Sequence, residues 1–154
     1  MDQADRKILR QLSKAGRSTQ FELAEAAALS PSAAARRQKA LEEEGVIAGY
    51  RAEIDLRKLG YAATVMVSVS LDSQSEEALR AFEAAAAASP SVLRCHLMSG
   101  RDDYLLVVIA QSIEDYERIH RREIATLPRV ARIETAFALR EVVNRFVPQQ
   151  VFSG

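Results

Sequence analysis

The chain has 154 residues, with 21 Lys and Arg against 21 Asp and Glu, so its formal net charge is zero. That length holds one or two small domains, and zero net charge excludes nucleic-acid binding by bulk charge alone; such contact has to come from a local patch. A single cysteine, Cys95, excludes an internal disulfide, and no apolar run reaches membrane-spanning length.

Residues 1–5 are polar and lack a signal-peptide core, so a soluble, cytoplasmic protein is expected. Ile8, Leu9 and Leu12 then recur at helical spacing after Asp2 or Asp5, which predicts a first helix. Ser18 or Thr19 caps a second, whose apolar face is expected to be Phe21, Leu23, Ala24 and Ala27. Ala28, Leu29 and Ser30 leave room only for a tight turn before the next helix.

That third helix has its start and stop written in. Ser30 suits the N-cap, Pro31 the first helical position and Gly45 the C-terminal stop. At about 100° per residue, Ala34, Gln38 and Leu41 share one face, while Ser32, Arg36 and Lys39 lie opposite. Arg37 falls at the border of the packed face, where an ion pair with an acidic neighbour competes with an outward contact. A helix, a short turn and a capped second helix with outward cations is the helix-turn-helix plan, whose second helix enters a major groove. The candidate DNA-contacting residues are Ser30, Ser32, Ala35, Arg36, Arg37 and Lys39, with Arg17 as a phosphate anchor.

Residues 46–54 read as a short β wing. Residues 1–52 are therefore expected to form a winged helix-turn-helix domain, followed by a linker over 53–60 with room for one more strand. Residues 1–60 carry 11 Lys and Arg against 9 Asp and Glu, and residues 61–154 carry 10 against 12. So mild an asymmetry means that several copies of the basic patch have to combine for useful affinity.

From Tyr61 the period changes. Val65, Val67, Val69 and Leu71 alternate as a strand. Ser75 caps a helix to Ala88, with Leu79, Phe82 and Ala86 inward, and Ser89-Pro90-Ser91 ends it. Strands over 92–99 and 104–110 flank a turn at Gly100–Asp103. Ser112 caps a helix to about Thr126, with Ile113, Tyr116, Ile119 and Leu127 inward, and Val130 to Leu139 is the last strand. The order βαββαβ is the ferredoxin-like split motif, expected over 61–154, so the fold class is α+β. Leu105 to Ile109 is apolar on both alternating faces, and two helices cover only one face of such a sheet. A second copy of the same sheet is the expected cover, giving a homodimer.

Motifs from both halves occur in register. Asp5-Arg6-Lys7-Ile8-Leu9, Gly16-Arg17, Glu22-Leu23-Ala24, Leu29-Ser30-Pro31-Ser32, Arg36-Arg37, the run Leu41 to Ile47 and Gly49-Tyr50 follow one another in the first half. Cys95 to Gly100, Asp103 to Leu106, Tyr116, Glu134-Thr135 and Leu139 follow in the second. Over nearly its whole length the chain resembles the Lrp/AsnC (leucine-responsive/asparagine regulator) transcription factors. The resemblance implies a DNA-binding regulator of double-stranded DNA, a dimer or higher homo-oligomer, and a small effector of the amino-acid class bound between C-terminal domains.

Carried over, the effector site is Ser99, Gly100, Arg101, Asp102 and Asp103, with Thr135 from the last strand. An ammonium is expected at Asp103 and a carboxylate at the N–H groups around Gly100. Two positions depart from the family pattern. Ala28 stands where glycine is common, and Arg101 stands where an acidic or polar residue is common.

No catalytic residues, metal or cofactor are expected. Cys95 and His96 are neighbours on a strand, point to opposite faces and so form no nucleophile–base pair, and Cys95 is expected to be buried. Neither a GxSxG, an HExxH, a P-loop nor a GxGxxG occurs. Two alternatives stand beside the regulator: an architectural DNA-binding protein of low sequence preference, and an amino-acid-binding module whose first half binds no DNA.

Overall fold

A computed structural model describes residues 1–152, which form two units: Met1–Glu53 with the run from Val142, and Ile54–Glu141. The first break falls near the expected end of the first domain. The second was not expected, because the run from Val142 joins the first unit and not the 61–154 domain. Ser153 and Gly154, the last residues of that expected domain, lie outside the described residues.

In the first unit each helix opens on a side-chain cap. α1 (Gln3–Lys14) begins at a capping box: Asp2 accepts from the Asp5 N–H at 3.0 Å, and Asp5 accepts from the Asp2 N–H at 2.8 Å. α2 (Gln20–Ala27) repeats the device with Thr19 and Glu22. The Thr19 N–H, and then its hydroxyl, hold the Glu22 carboxyl below its ordinary range. α3 (Pro31–Glu43) starts at Ser30, whose Oγ accepts from the Ala33 N–H at 3.3 Å. Ile8, Leu23, Ala24, Ala27, Ala34 and Leu41 form the core that the three helices share. Phe21 is not part of it: the ring is 76% exposed, because it sits on the first turn of α2 outside the stripe set by Leu23, Ala24 and Ala27.

The turn between α2 and α3 pivots on Ala28, which holds φ 56° and ψ 49°. The Ala28 N–H reaches the Glu25 carbonyl and the Leu29 N–H reaches the Ala24 carbonyl, the paired bonds of a Schellman stop. Glycine normally fills that left-handed position, and a Cβ there costs roughly 1 kcal/mol.

No strand forms over 46–54, so the expected β wing is absent as a ladder among the described residues. A strand needs a hydrogen-bonding neighbour, and the described residues of the first unit contain no other strand. Side chains hold the segment instead. The Tyr50 hydroxyl donates to Glu42 at 2.7 Å and accepts from Gln38 at 2.7 Å. Residues 53–60 likewise hold no strand; Asp55 caps a 3-10 turn over Leu56–Leu59.

The second unit is a four-stranded antiparallel sheet in the order β2-β3-β1-β4, built from β1 (Ala63–Leu71), β2 (Val92–Leu97), β3 (Tyr104–Ala110) and β4 (Val130–Phe137). That is the ferredoxin-like arrangement expected from βαββαβ. α4 (Glu76–Ala88) and α5 (Ile113–Ile119) cover one face, with Phe82 and Tyr116 packed in one core with Val65, Val67, Val69, Leu106 and Val108. The last helix is shorter than expected: after Ile119 the chain widens into a π turn over His120–Ile124. Ile113 is 66% exposed on the first turn of α5, ahead of the residues that face the sheet. Cys95 is exposed, against expectation, since it lies on edge strand β2. What cover it has, with the Glu83 carboxylate behind, pushes its thiol pKa up.

Candidate nucleic-acid interface and effector loop

The outward face of α3 is free. Ser32, Arg36 and Lys39 are exposed, Ala35 is half-buried beside them, and Ser30 is spent on the cap. Lys39 has only a loose pair with Glu43 at 3.5 Å, both side chains well exposed. Arg17 is exposed ahead of α2, and neither it nor Arg36 makes an ion pair among the described residues. Arg37 is the exception. Its Nη1 donates to Asp2 at 2.7 Å and to Asp5 at 2.8 Å, tying the middle of α3 to the start of α1. Those two carboxylates, Asp5 first, push the guanidinium pKa further up. The Asp5 N–H, and then Arg37, hold the Asp2 carboxyl below its ordinary range. The helix thus sorts its cations: one is structural, and the others face outward.

The Ser99–Asp103 loop is built differently. Asp103 accepts from the Leu71 N–H at 2.7 Å and from Gln74 Nε2 at 2.8 Å, while its own N–H donates to the Val69 carbonyl at 2.9 Å. Each carboxylate oxygen thus already holds one contact with the fold. Asp102 accepts from Arg132 at 2.6 Å and from the Ser70 hydroxyl at 3.2 Å. Arg101 donates to Glu134 at 3.0 Å, and Arg132 also lies 3.4 Å from Glu134. Gly100 takes φ 141°, a conformation that suits glycine.

A depression of about 190 Å³ at this loop is lined by Ser68, Met98, Ser99, Arg101, Asp102, Tyr104 and Leu105. Ser99, Arg101 and Asp102 come together there, with Ser68, Met98, Tyr104 and Leu105, which were not foreseen. Thr135 is not brought in. It pairs with Val67 on the helix-covered face, and its hydroxyl meets the Tyr116 hydroxyl at 2.8 Å, whereas Glu134 and Arg101 belong to the other face.

A larger cavity of about 530 Å³ lies elsewhere in this unit. Leu56, Tyr61, Val92, Ile109 and Ile119 give it an apolar lining, and Arg118, Arg122 and Glu123 sit at it. No local motif announces it, because its walls come from segments far apart in sequence.

On the open face of the sheet, Met66 is 38% exposed, Leu105 and Ile109 are half-buried and Val107 is almost covered. This leaves an apolar strip across the two central strands.

Family models match both units: a winged helix-turn-helix DNA-binding domain over residues 1–48, and an Lrp/AsnC ligand binding domain over residues 64–148. The chain belongs to the Lrp/AsnC family of transcriptional regulators. It is 38% identical over 148 residues to the Bkd operon transcriptional regulator of Pseudomonas aeruginosa, covering 96% of this chain and 97% of that one. Among solved structures it is similar to an AsnC family transcriptional regulator from Agrobacterium tumefaciens, with TM-score 0.92 and 33% identity over 99% of both chains. It is also similar to a transcriptional regulator from Neisseria meningitidis solved in complex with L-methionine, with TM-score 0.91 and 30% identity over 96% of both. This Lrp/AsnC chain is a DNA-binding transcriptional regulator and not an enzyme. Among the described residues no helix is long and apolar enough to cross a membrane.

Proposed function

We propose that this regulator binds double-stranded DNA as a homodimer, with α3 of each copy in a major groove, and that an amino acid at the Ser99–Asp103 loop alters its assembly or its DNA affinity. The observation that carries the reading is the sorting of cations on α3: Arg37 is tied to Asp2 and Asp5, while Ser32, Arg36 and Lys39 stay outward. Three short or cationic groups on one helix read few base edges, so affinity has to come from pairing two such helices. The strip of Met66, Leu105, Val107 and Ile109 is the surface that a second sheet covers.

The amino-acid class comes from the relative bound to L-methionine. In this chain the ammonium falls to Asp102 and the carboxylate to Arg101 with the loop N–H groups. A depression this shallow needs another surface over it, which gives higher assembly a direct link to the ligand. The working site is the cytoplasm, beside the DNA.

The test is native mass and DNA binding of the full chain at low micromolar concentration, with each standard amino acid in turn. A dimer or a multiple of it is expected, and one amino acid shifts the mass distribution or the affinity. Leu105→Glu puts a charge on the open face, converts the protein to monomer and weakens DNA binding about a hundredfold. A wild-type monomer contradicts the pairing, and indifference to every amino acid contradicts the effector assignment.

A further inference from the structure

The segment from Val142 onward leaves the second unit and joins the first. Its end is docked on α1. Residues Gln149–Phe152 form a 3-10 turn, and Phe152 is buried. The Arg10 guanidinium lies 5.8 Å from the Phe152 ring centroid and donates to the Phe152 carbonyl at 2.8 Å. One turn earlier, Arg6 donates to the Val151 carbonyl at 3.0 Å. Arg6 and Arg10 are four residues apart and so share one face of the helix. Both bonds are charge-assisted, and the ring contact adds a cation–π attraction. By contrast Val142, Val143 and Phe146 are well exposed, so the middle of the segment is free where its end is held.

α1 is thus gripped by two sets of charged groups. Arg6 and Arg10 hold the segment's end, and Asp2 and Asp5 hold Arg37 of α3. α1 has 12 residues, and its inner face is packed through buried Ile8. The chain also connects the two units twice, once at Glu53–Ile54 and once at Glu141–Val142.

We propose that residues 142–152 form a latch, in which Phe152, Arg6 and Arg10 are positioning residues for the DNA-reading helix. The latch holds the middle of α1, and through the Arg37 bridge at the start of that helix it fixes the angle at which α3 is presented. None of the three has to touch DNA. The proposal rests on α3 as the helix that reads DNA.

The experiment compares full-length wild type, Phe152→Ala, Phe152→Leu and Arg36→Ala. The probe is a fluorescent duplex taken from immediately upstream of the protein's own coding sequence, and amide hydrogen exchange of the free proteins is measured alongside. Phe152→Ala is expected to weaken binding about fivefold, and Phe152→Leu to recover most of that loss. Exchange is expected to rise in residues 3–14 and around Arg37 while the four strands stay unchanged. An unchanged affinity in Phe152→Ala overturns the latch where Arg36→Ala weakens binding. If Arg36→Ala also leaves binding unchanged, the reading of α3 has failed, and the exchange pattern alone decides the latch. Exchange unchanged in α1 and α3, or raised throughout the first unit including α2, overturns it, as does a Phe152→Leu variant no better than Phe152→Ala.

Discussion

α3 and the Ser99–Asp103 loop use their polar side chains in opposite ways. α3 commits Arg37 to the fold and leaves Ser32, Arg36 and Lys39 outward. The loop engages both oxygens of Asp103 with the fold, pairs Asp102 with Arg132 and Ser70, and engages Arg101 with Glu134. A helix can hold such groups outward within one chain, although useful affinity for a polyanion has to come from pairing copies. A small ligand has to be enclosed, and the groups around this loop largely satisfy one another until a further surface arrives.

The contrast breaks first at Asp103. If its carboxylate is a fold element, Asp103→Ala strands the Leu71 N–H and costs about 2 kcal/mol of stability in the second unit. Asp102→Asn, at a half-exposed pair, costs under about 1 kcal/mol. Denaturant unfolding followed through the second unit measures both. Equal losses would erase the distinction between a carboxylate that holds a backbone N–H and one held by a surface ion pair. A smaller effect sharpens the other side. Ala28 already adopts the left-handed turn that sets α3 against α2, so Ala28→Gly is expected to stabilise the first unit by about 1 kcal/mol and leave DNA affinity unchanged. A loss of affinity would show that the turn needs its Cβ.

Much of α3 was legible because its signals are local. Ser30, Pro31 and Gly45 lie next to the helix they delimit, and the face of Ala34 and Leu41 follows from helical spacing alone. The border position of Arg37 pointed to an ion pair, and two carboxylates of α1 provide it. The βαββαβ order was legible for the same reason, since each element carries its own period. What failed depends on distance. Asp103 finds its partner across the sheet at Leu71, and Phe152 finds Arg10 from the far end of the chain; no spacing rule reaches either. Phe21 and Ile113 failed on a smaller scale, because an apolar residue on the first turn of a helix fits the period yet lies beyond the packed surface. Cys95 on an edge strand and the wing without a ladder share one cause: a strand's cover and partners belong to its neighbours and not to its own residues.

The central claim is that α3 reads DNA with its free cation and holds itself in place with its tied one. Salt dependence of DNA binding, measured beside thermal unfolding for Arg36→Ala and Arg37→Ala, tests it most directly. Arg36→Ala is expected to make the slope of log K against log salt shallower by about 0.9 for each phosphate that the guanidinium neutralised, with an unchanged unfolding midpoint. Arg37→Ala is expected to lower the midpoint of the first unit and leave the slope as it was. A shallower slope in Arg37→Ala with none in Arg36→Ala would contradict the account.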